Sequence, residues 1–324
     1  MKLTRPFIQL PLRFDAARLA EEAAGLPDDA WLPHPSGQRG NLAVPLISRD
    51  GGANDDFTGP MAATPHLLAC QYHQQAMAAF GEVLARSRLM KLQAGHEVGL
   101  HVDFNYHWHT RVRVHIPIVT RPEVYFYCGD EQLHMAAGEC WLFDNWRRHN
   151  VVNASTEDRI HLVIDLAGSS RFWNMVEAMQ ALDPVADRDR LHGMLRDVTY
   201  EPERPVQIDT EQFNIAPVMA PGEVDALVAE LIRDFSGHSG NDPGLVRAYQ
   251  KLLRDFARDW RQTWLRHGSG RRGIPHYQEL IERTSAALHP DRRALVTASN
   301  DIGVNPVIMQ RILRPALAVD RFDA

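Results

Sequence analysis

The strongest constraint on the fold is a change of hydrophobic period in the middle of the chain. Between about Ser87 and Ala167, apolar and polar residues alternate in short runs that are separated by Gly, Asn and Asp. A period of two is typical of strands with one buried face, and turn residues at this spacing indicate antiparallel pairing. The runs that indicate strands are SRLMKL, RVRVHIPI, EVYFYC, ECWLF and RIHLVIDL. This region is therefore predicted to form a small antiparallel sandwich or barrel.

Helical patterns precede the β region. A short helix is predicted at 15–24, with Asp15 as its N-cap, and a longer one from about Thr64 to Ala85. The chain between them is rich in Gly, Asn, Asp and Pro, so we expect mostly loop around one edge strand, Leu42 to Ser48.

The part of the chain that follows the β region is predicted to be helical. Glu223 to Phe235 and Pro243 to Trp264 each place their apolar residues on one stripe, as amphipathic helices do. The segment Asp183 to Pro205 is dense in charges and prolines, which makes it the best linker candidate. We therefore expect two regions, a β domain at 1–175 and a helical region at 176–324, which is an α+β organisation.

Composition excludes several classes of protein. The chain has 3 cysteines without C-x-x-C spacing, which supports neither a disulfide framework nor a thiolate zinc site. Its net charge of −6 offers no basic field, so we expect no nucleic-acid partner. No apolar run is long enough to span a bilayer and no signal-peptide pattern is present, so a cytoplasmic protein without a membrane partner is expected.

The strand that begins at Arg111 carries three basic side chains on one face. Strand alternation places its valines and isoleucine on one side and Arg111, Arg113 and His115 on the other. A solvated outer face and an anion site inside a barrel both fit this pattern. The strand that begins at Arg159 has the same arrangement, and we expect His161 on it to be a hydrogen-bonded core histidine.

Four residues along this region match a metal site with a keto-acid clamp. His101 and Asp103 form an H-x-D pair, and His149 and Arg159 follow on later strands or turns. Two histidines and one carboxylate form a facial triad, which leaves open positions on iron(II) for a bidentate keto acid and dioxygen. An arginine one strand away can hold the distal carboxylate of that keto acid by a bidentate ion pair.

Several motifs resemble, in combination, those of a known family. They are ARSRLM at 85–90, HVDF at 101–104, Arg113, LHM at 133–135, GECWLFD at 138–144, His149 and Arg159. This set resembles the aspartyl/asparaginyl β-hydroxylase family of 2-oxoglutarate/Fe(II) oxygenases, whose branch also contains bacterial proline hydroxylases. The resemblance covers about Leu42 to Ala167. It implies a double-stranded β-helix, the jelly roll of cupin-like proteins, with flanking helices.

The resemblance also implies roles for individual residues. Iron would be bound by the two histidines and the aspartate of the triad, and Arg159 would bind the distal carboxylate of 2-oxoglutarate. Arg113 and His115 match an R-x-H pair that serves the substrate carboxylate and the C1 carboxylate of 2-oxoglutarate. Asp103 is present as in the bacterial amino-acid hydroxylases, whereas the animal aspartyl hydroxylase lacks this carboxylate, so the match to either substrate group is mixed.

We therefore predict a dioxygenase that hydroxylates an unactivated C–H bond of an amino acid or an amino-acid-derived carboxylate and releases succinate and CO2. An aspartyl or asparaginyl residue of a peptide is the alternative substrate. A non-catalytic metal-binding jelly-roll module and a keto-acid-independent cupin, with His107 or His109 as an extra ligand, are alternatives of another class. Further substrate contacts are expected from Asn105, Trp108 and Trp146. The C-terminal region is expected to shape the substrate entrance or a homodimer contact.

Overall fold

The alternating region forms strands in the computed structural model, which describes residues 2–35, 37–183 and 186–321. The strands are β1 (Phe7–Gln9), β2 (Leu12–Phe14), β3 (Leu32–Pro33), β4 (Asn41–Arg49), β5 (Met61–Ala63), β6 (Leu84–Leu92), β7 (Glu97–His101), β8 (Val112–Val119), β9 (Val124–Cys128), β10 (Glu131–Leu133), β11 (Trp141–Phe143), β12 (His149–Asn153), β13 (Arg159–Leu166) and β14 (Arg196–Val198). Each of the five predicted runs overlaps one of them. The period of two was therefore a sound guide to this region.

The helices lie before, within and after this region. They are α1 (Ala16–Ala24), α2 (Pro65–Leu68), α3 (Gln71–Ala78), α4 (His107–Thr110), α5 (Ser170–Gln180), α6 (Arg188–Met194), α7 (Pro221–Ser236), α8 (Pro243–His267), α9 (Ile274–Ala286), α10 (Val304–Val307) and α11 (Arg314–Ala316). A π-helical stretch, Ile308–Leu313, joins the last two. No helix among the described residues combines the length and the apolar character that crossing a bilayer requires.

Most of the described strands assemble into two antiparallel sheets, and β2 and β14 form a separate parallel pair. The larger has eight strands in the order β1-β11-β8-β13-β6-β4-β3, with β5 paired to β4. The smaller has four strands in the order β10-β9-β12-β7. The two sheets, with helices outside, form the expected double-stranded β-helix core of an α+β protein.

The two faces of the larger sheet differ in chemistry. On β13, Leu162 and Ile164 belong to the main hydrophobic core, to which α1, α3 and α5 also contribute side chains. The alternate positions of β13, from Arg159 to Asp165, are buried on the opposite face. A smaller apolar cluster that includes Phe126 lies on that side. The basic face of β8 and β13 is therefore internal, which decides between the two interpretations left open by the sequence.

The strand expected at an edge is not at an edge. β4 pairs with β6 along one side and with β3 and β5 along the other. Its residues are buried over most of its length. The sequence could not show this because the strands that cover β4 contain only two and three residues.

The long helix predicted from Thr64 to Ala85 is wrong. Thr64 caps a short helix, α2, and a second helix, α3, begins after Cys70, whose backbone is not helical at φ −111° and ψ 88°. The carboxylate of Glu22 accepts the backbone N–H groups of Tyr72 and of the next residue at 2.8 and 3.0 Å. This carboxylate caps α3 from a distant part of the chain, so a local pattern could not reveal the break. Ala85 lies in β6 instead.

We expect Glu22→Gln to lower the free energy of unfolding by about 1–3 kcal/mol, because the cap and the bond from His73 Nδ1 lose their charged acceptor. Burial raises the pKa of Glu22, but the bonds from His73 and the two amides outweigh it and the pKa falls below the usual 4.5. The stabilisation is thus present above pH 4.5 and is lost as pH falls through the lower folded pKa. Chemical denaturation at pH 7 and below pH 4.5 measures both effects.

Glu21→Gln is the matched control, since the Glu21 side chain is exposed and its carboxylate pairs with Arg18 of the same helix. It should change stability by less than about 0.5 kcal/mol. If both variants lowered the free energy of unfolding equally, the Glu22 carboxylate would not stabilise α3 as a cap.

The chain divides into two compact units. The first contains Met1–His101 and Thr110–Gln212, and the second contains Val102–His109 and Phe213–Ala324. The first unit extends past residue 175 because β14 pairs with β2 and because Glu211 binds Arg111. In the second unit, α7 and α8 bury the predicted stripes, and Trp260 of α8 packs against Tyr277 of α9 at a ring distance of 4.4 Å.

Candidate active site

Two histidines face each other across neighbouring strands of the smaller sheet. His101 ends β7, His149 begins β12, and the two residues are register partners. Their ring centroids are 4.2 Å apart. His149 is 6% exposed, whereas His101 lies at the open side. The register of these two antiparallel strands therefore places together two imidazoles that are far apart in sequence.

Hydrogen bonds to the main chain select one tautomer in both rings. His101 Nδ1 lies 2.8 Å from the carbonyl oxygen of Gly99, and His149 Nδ1 lies 2.8 Å from that of Arg147. A carbonyl oxygen only accepts, so each Nδ1 carries the proton and donates it. The lone pair of each neutral ring is then on Nε2, the arrangement commonly found in metal-binding histidines.

Asp103 completes a donor set with these histidines. One ligand atom from each of His101, Asp103 and His149 lies within 4.8 Å of the other two. Asp103 lies two residues past the end of β7, so the side-chain alternation of a strand does not explain its position. Within the described part of the chain, this group includes no fourth histidine, cysteine or carboxylate. Two imidazole nitrogens and one carboxylate oxygen are the donors that suit a non-haem iron(II) ion.

Arg159 is buried on the inner face of β13. It is 4% exposed, and its guanidinium carbon lies 4.9 Å from the ring centroid of Phe126. Burial lowers its pKa to about 9, so it remains a cation at neutral pH. Its Nε has no hydrogen-bond acceptor among the described residues. A buried cation with an unused donor is costly unless an anion binds to it.

His115 and His161 form a pair next to this arginine. Their Nδ1 atoms are 3.4 Å apart, and both rings are buried. Burial, followed by the charge of Arg159, lowers the pKa of both histidines well below the usual value. The charges of Arg113, Asp165 and His149 also act on His115. His115 is thus within electrostatic range of both Arg159 and the metal-ligand candidate His149.

The two arginines expected to bind substrate are held by carboxylates. Arg113 makes two bonds to Asp165, at 2.7 and 2.8 Å. Arg111 precedes β8 and makes two bonds to Glu211, at 2.7 and 2.9 Å. Sequence alternation showed the face of Arg113 but could not show either acidic partner, because both lie far along the chain.

A second arginine pair was not selected from the sequence as a site. Arg86 and Arg88 of β6 both form ion pairs with Asp55 and are almost fully buried. His34 lies near this group, and its pKa is lowered to about 4 by burial and then by the charge of Arg88. Among the positive charges that act on His34 is Arg113. The sequence pattern could have indicated this pair, because the run ARSR, like RVRVH, places two basic residues on one face of a strand.

The other residues that were expected to contact substrate lie outside the strands. Trp146 is 4% exposed in the turn before β12, with Lys2 Nζ 4.8 Å from its ring centroid. Trp108 of α4 is 2% exposed and packs edge-on against His107 at 4.8 Å. The Asn105 Oδ1 atom is buried without a hydrogen-bond donor among the described residues. His109 lies 3.4 Å from Glu230 and belongs to an ion pair.

The segment that contains Asp103 belongs to the second unit and is hydrogen-bonded to other residues of that unit. Arg311 Nε donates to the carbonyl oxygen of Phe104 at 3.1 Å, and Tyr106 N donates to the carbonyl oxygen of Gln310 at 3.2 Å. The Tyr106 hydroxyl also bonds to Glu223 of α7. Gln310 and Arg311 lie in the π-helical stretch, a conformation that is often found near functional sites.

Another group of possible ligands is explained by helix capping. Glu22, Cys70 and His73 have ligand atoms within 4.8 Å of one another. The Glu22 carboxylate already accepts bonds from two amides of α3 and from His73. Burial raises the pKa of the Cys70 thiol to about 12, so it is protonated and a poor metal ligand.

Comparison with known proteins supports the resemblance drawn from the motifs. Residues 51–168 match the sequence model of the family described as Aspartyl/Asparaginyl beta-hydroxylase. The matched segment contains the H-x-D pair, His149 and Arg159. The resemblance of this segment to the family is thereby confirmed. Among curated proteins, no sequence matched.

Parts of this chain are similar to several solved structures. A 2OG-Fe(II) oxygenase family oxidoreductase from Burkholderia pseudomallei is 16% identical, with 47% of this chain and 78% of that one covered and a TM-score of 0.34. A Pseudomonas putida prolyl-4-hydroxylase is 16% identical, with 50% and 92% covered and a TM-score of 0.35. HygX from Streptomyces hygroscopicus, solved with nickel, 2-oxoglutarate and hygromycin B, is 12% identical, with 50% and 82% covered and a TM-score of 0.35.

Proposed function

We propose that this chain is an iron(II)- and 2-oxoglutarate-dependent dioxygenase. It hydroxylates an unactivated C–H bond of an amino acid or an amino-acid-derived carboxylate and releases succinate and CO2. The observation that carries the proposal is the combination of a His-Asp-His donor set with a buried arginine whose Nε has no acceptor among the described residues. A metal-binding module or a cupin that uses no keto acid has no need of such an arginine.

The donor set fits iron(II). His101 and His149 would offer Nε2 and Asp103 a carboxylate oxygen, and two main-chain carbonyls hold the rings in that tautomer. Iron bound there would supply open coordination positions for the keto acid and dioxygen and the oxidising power for C–H cleavage.

The protein's own contribution is to position the cosubstrate. Arg159 holds the distal carboxylate of 2-oxoglutarate, because a buried guanidinium and a carboxylate form strong charge-assisted hydrogen bonds. His115 packs against Phe126, over which Arg159 lies, and against Phe143, which contacts His149. A cosubstrate that extended from Arg159 to the donor set would therefore pass His115. Phe126 and Phe143 line this part of the interior and exclude water from it.

The arginine-rich group favours an amino-acid substrate. Three guanidinium groups, from Arg86, Arg88 and Arg113, share the two carboxylates of Asp55 and Asp165. The substrate carboxylate would bind to the guanidinium groups, and a substrate ammonium group would bind to an aspartate. Both charges of a free amino acid would thus find partners.

The first experiment is anaerobic. We expect the purified chain, given iron(II) and then 2-oxoglutarate, to develop the visible charge-transfer band of an iron-bound keto acid. Amino acids are then screened aerobically by succinate release, with peptides that contain aspartate or asparagine as a separate arm. Iron binding without the band would overturn the keto-acid assignment in favour of a cupin of another type. Turnover of peptides alone would overturn the free amino-acid substrate.

A further inference from the structure

His161 is placed on the same face as Arg159. The two residues are separated by one position on β13, so their side chains point to the same side of the sheet. Their Cα atoms are therefore ~7 Å apart, a separation that one carboxylate with a hydrogen bond at each oxygen can bridge. His161 is 0% exposed, and its Nε2 has no hydrogen-bond partner among the described residues.

Both side chains are positioned by one aromatic ring. The imidazole of His161 stacks on Phe126 at a centroid distance of 5.4 Å and an interplanar angle of 18°. The guanidinium of Arg159 lies 4.9 Å from the same centroid. Both groups therefore lie against the same ring, and each has one nitrogen without a partner in the described structure. Two unsatisfied buried nitrogens in one place indicate a ligand that binds both.

The bond between the two histidines limits where their protons are. In a neutral pair, the Nδ1 atoms of His115 and His161 share one proton across 3.4 Å. The ring that accepts at Nδ1 must carry its own proton on Nε2, and the ring that donates has a lone pair there. Only one of the two Nε2 atoms is therefore a donor.

We propose that His161 is this donor and that it binds the distal carboxylate of the keto-acid cosubstrate together with Arg159. The inference rests on the proposed function. His161 is the deeper ring and adjoins Arg159 along the strand. His115 instead packs against Phe143 at a centroid distance of 5.2 Å, and Phe143 packs against the metal-ligand candidate His149 at 4.7 Å. His115 then acts as a positioning residue, since its Nδ1–H keeps His161 in the donor tautomer. The titratable groups that act on His161 are Arg159, His115 and His134.

Two isosteric substitutions separate a ligand role from a structural one. The amide nitrogen of His161→Gln lies near the position of Nε2, and that of His161→Asn lies near Nδ1. A direct bond to the cosubstrate predicts that His161→Asn weakens 2-oxoglutarate binding by about 10-fold to 100-fold, as expected for one charge-assisted bond, whereas His161→Gln stays within about fivefold of wild type. If His161 serves only to hold His115, the order is reversed.

The measurement is equilibrium binding to the metal-loaded protein, by anaerobic titration of the charge-transfer band and by calorimetry. Pyruvate is the control ligand, because it is a 2-oxo acid without a distal carboxylate and should bind all variants equally. His161→Phe keeps the ring stacked on Phe126 and removes both nitrogens, so it tests the same loss if the asparagine variant fails to fold. Equal loss of pyruvate and 2-oxoglutarate affinity would overturn the inference.

The outcome is distinguishable from failure of the proposed function. If the wild-type protein binds iron but neither 2-oxoglutarate nor pyruvate, the proposed function itself fails. If the wild-type protein binds 2-oxoglutarate and Arg159→Leu loses it, while His161→Asn and His161→Phe keep wild-type affinity, only the role of His161 is rejected.

Discussion

Arg159→Leu is expected to weaken 2-oxoglutarate binding by roughly 150-fold to 5000-fold while the affinity for iron(II) stays unchanged. Removal of one partner of a buried, hydrogen-bonded ion pair costs about 3–5 kcal/mol, which corresponds to this range. Arg159 is buried on a different strand from the histidines of the donor set, so its loss removes the clamp and leaves the metal ligands in place. Titration of the charge-transfer band and of metal uptake measures the two affinities separately.

Two further variants test whether the loss of 2-oxoglutarate affinity depends on the guanidinium group of Arg159 in particular. Arg159→Lys keeps the charge but loses the planar fork of donors, so it should recover only part of the affinity. Arg121→Gln is the surface control, because Arg121 is half exposed and pairs with the equally exposed Glu157. If Arg159→Leu bound 2-oxoglutarate within about threefold of wild type, the distal carboxylate would have to bind elsewhere.

His149→Ala is expected to lower the affinity for iron(II) by more than about 100-fold, since the loss of a ligand should exceed the 10-fold to 100-fold cost typical of losing a group that only orients one. His101→Ala and Asp103→Ala should have effects of similar size, because each removes one of three donor atoms. Calorimetric titration with iron(II) under anaerobic conditions, or with manganese(II), gives the dissociation constants.

His96→Ala is the matched control for these variants. Its Nδ1 donates to the carbonyl oxygen of Ala94 at 2.9 Å, two residues earlier, in the same way as in His101 and His149. It is not one of the three donors, so its loss should leave metal binding unchanged. His107→Ala and His109→Ala should also bind iron normally. A large loss in either one would favour a four-ligand cupin site over the three-residue donor set.

Local periodicity explains which parts of the fold could be predicted. The alternation in β8 and β13 records two unlike faces of a buried sheet, and the stripes of α7 and α8 record one buried helix face each. These patterns are local because side-chain direction repeats every two residues in a strand and every 3.6 in a helix. The break between α2 and α3 was invisible to them, because its cause is the carboxylate of Glu22.

In the candidate site, too, some features could be predicted from the sequence and others could not. Residue types and their order indicated His101, Asp103, His149 and Arg159, since a facial triad and a keto-acid clamp need particular donor groups. The ion-pair partners of the basic residues could not be predicted from residue types and their order. The pairing of Arg113 with Asp165 depends on the register between β8 and β13.

The sequence by itself thus determined the alternating β core, the helices that follow it and the residue types that the proposed iron and 2-oxoglutarate sites require. The tertiary structure decided how these groups are arranged and protonated. Strand register brought His101 to His149, main-chain carbonyls placed the protons on Nδ1, and burial left a nitrogen of Arg159 and of His161 without a partner among the described residues. The physical reason is that side-chain periodicity is a property of neighbouring residues, whereas hydrogen bonding, burial and charge at a site depend on residues that only the folded chain brings together.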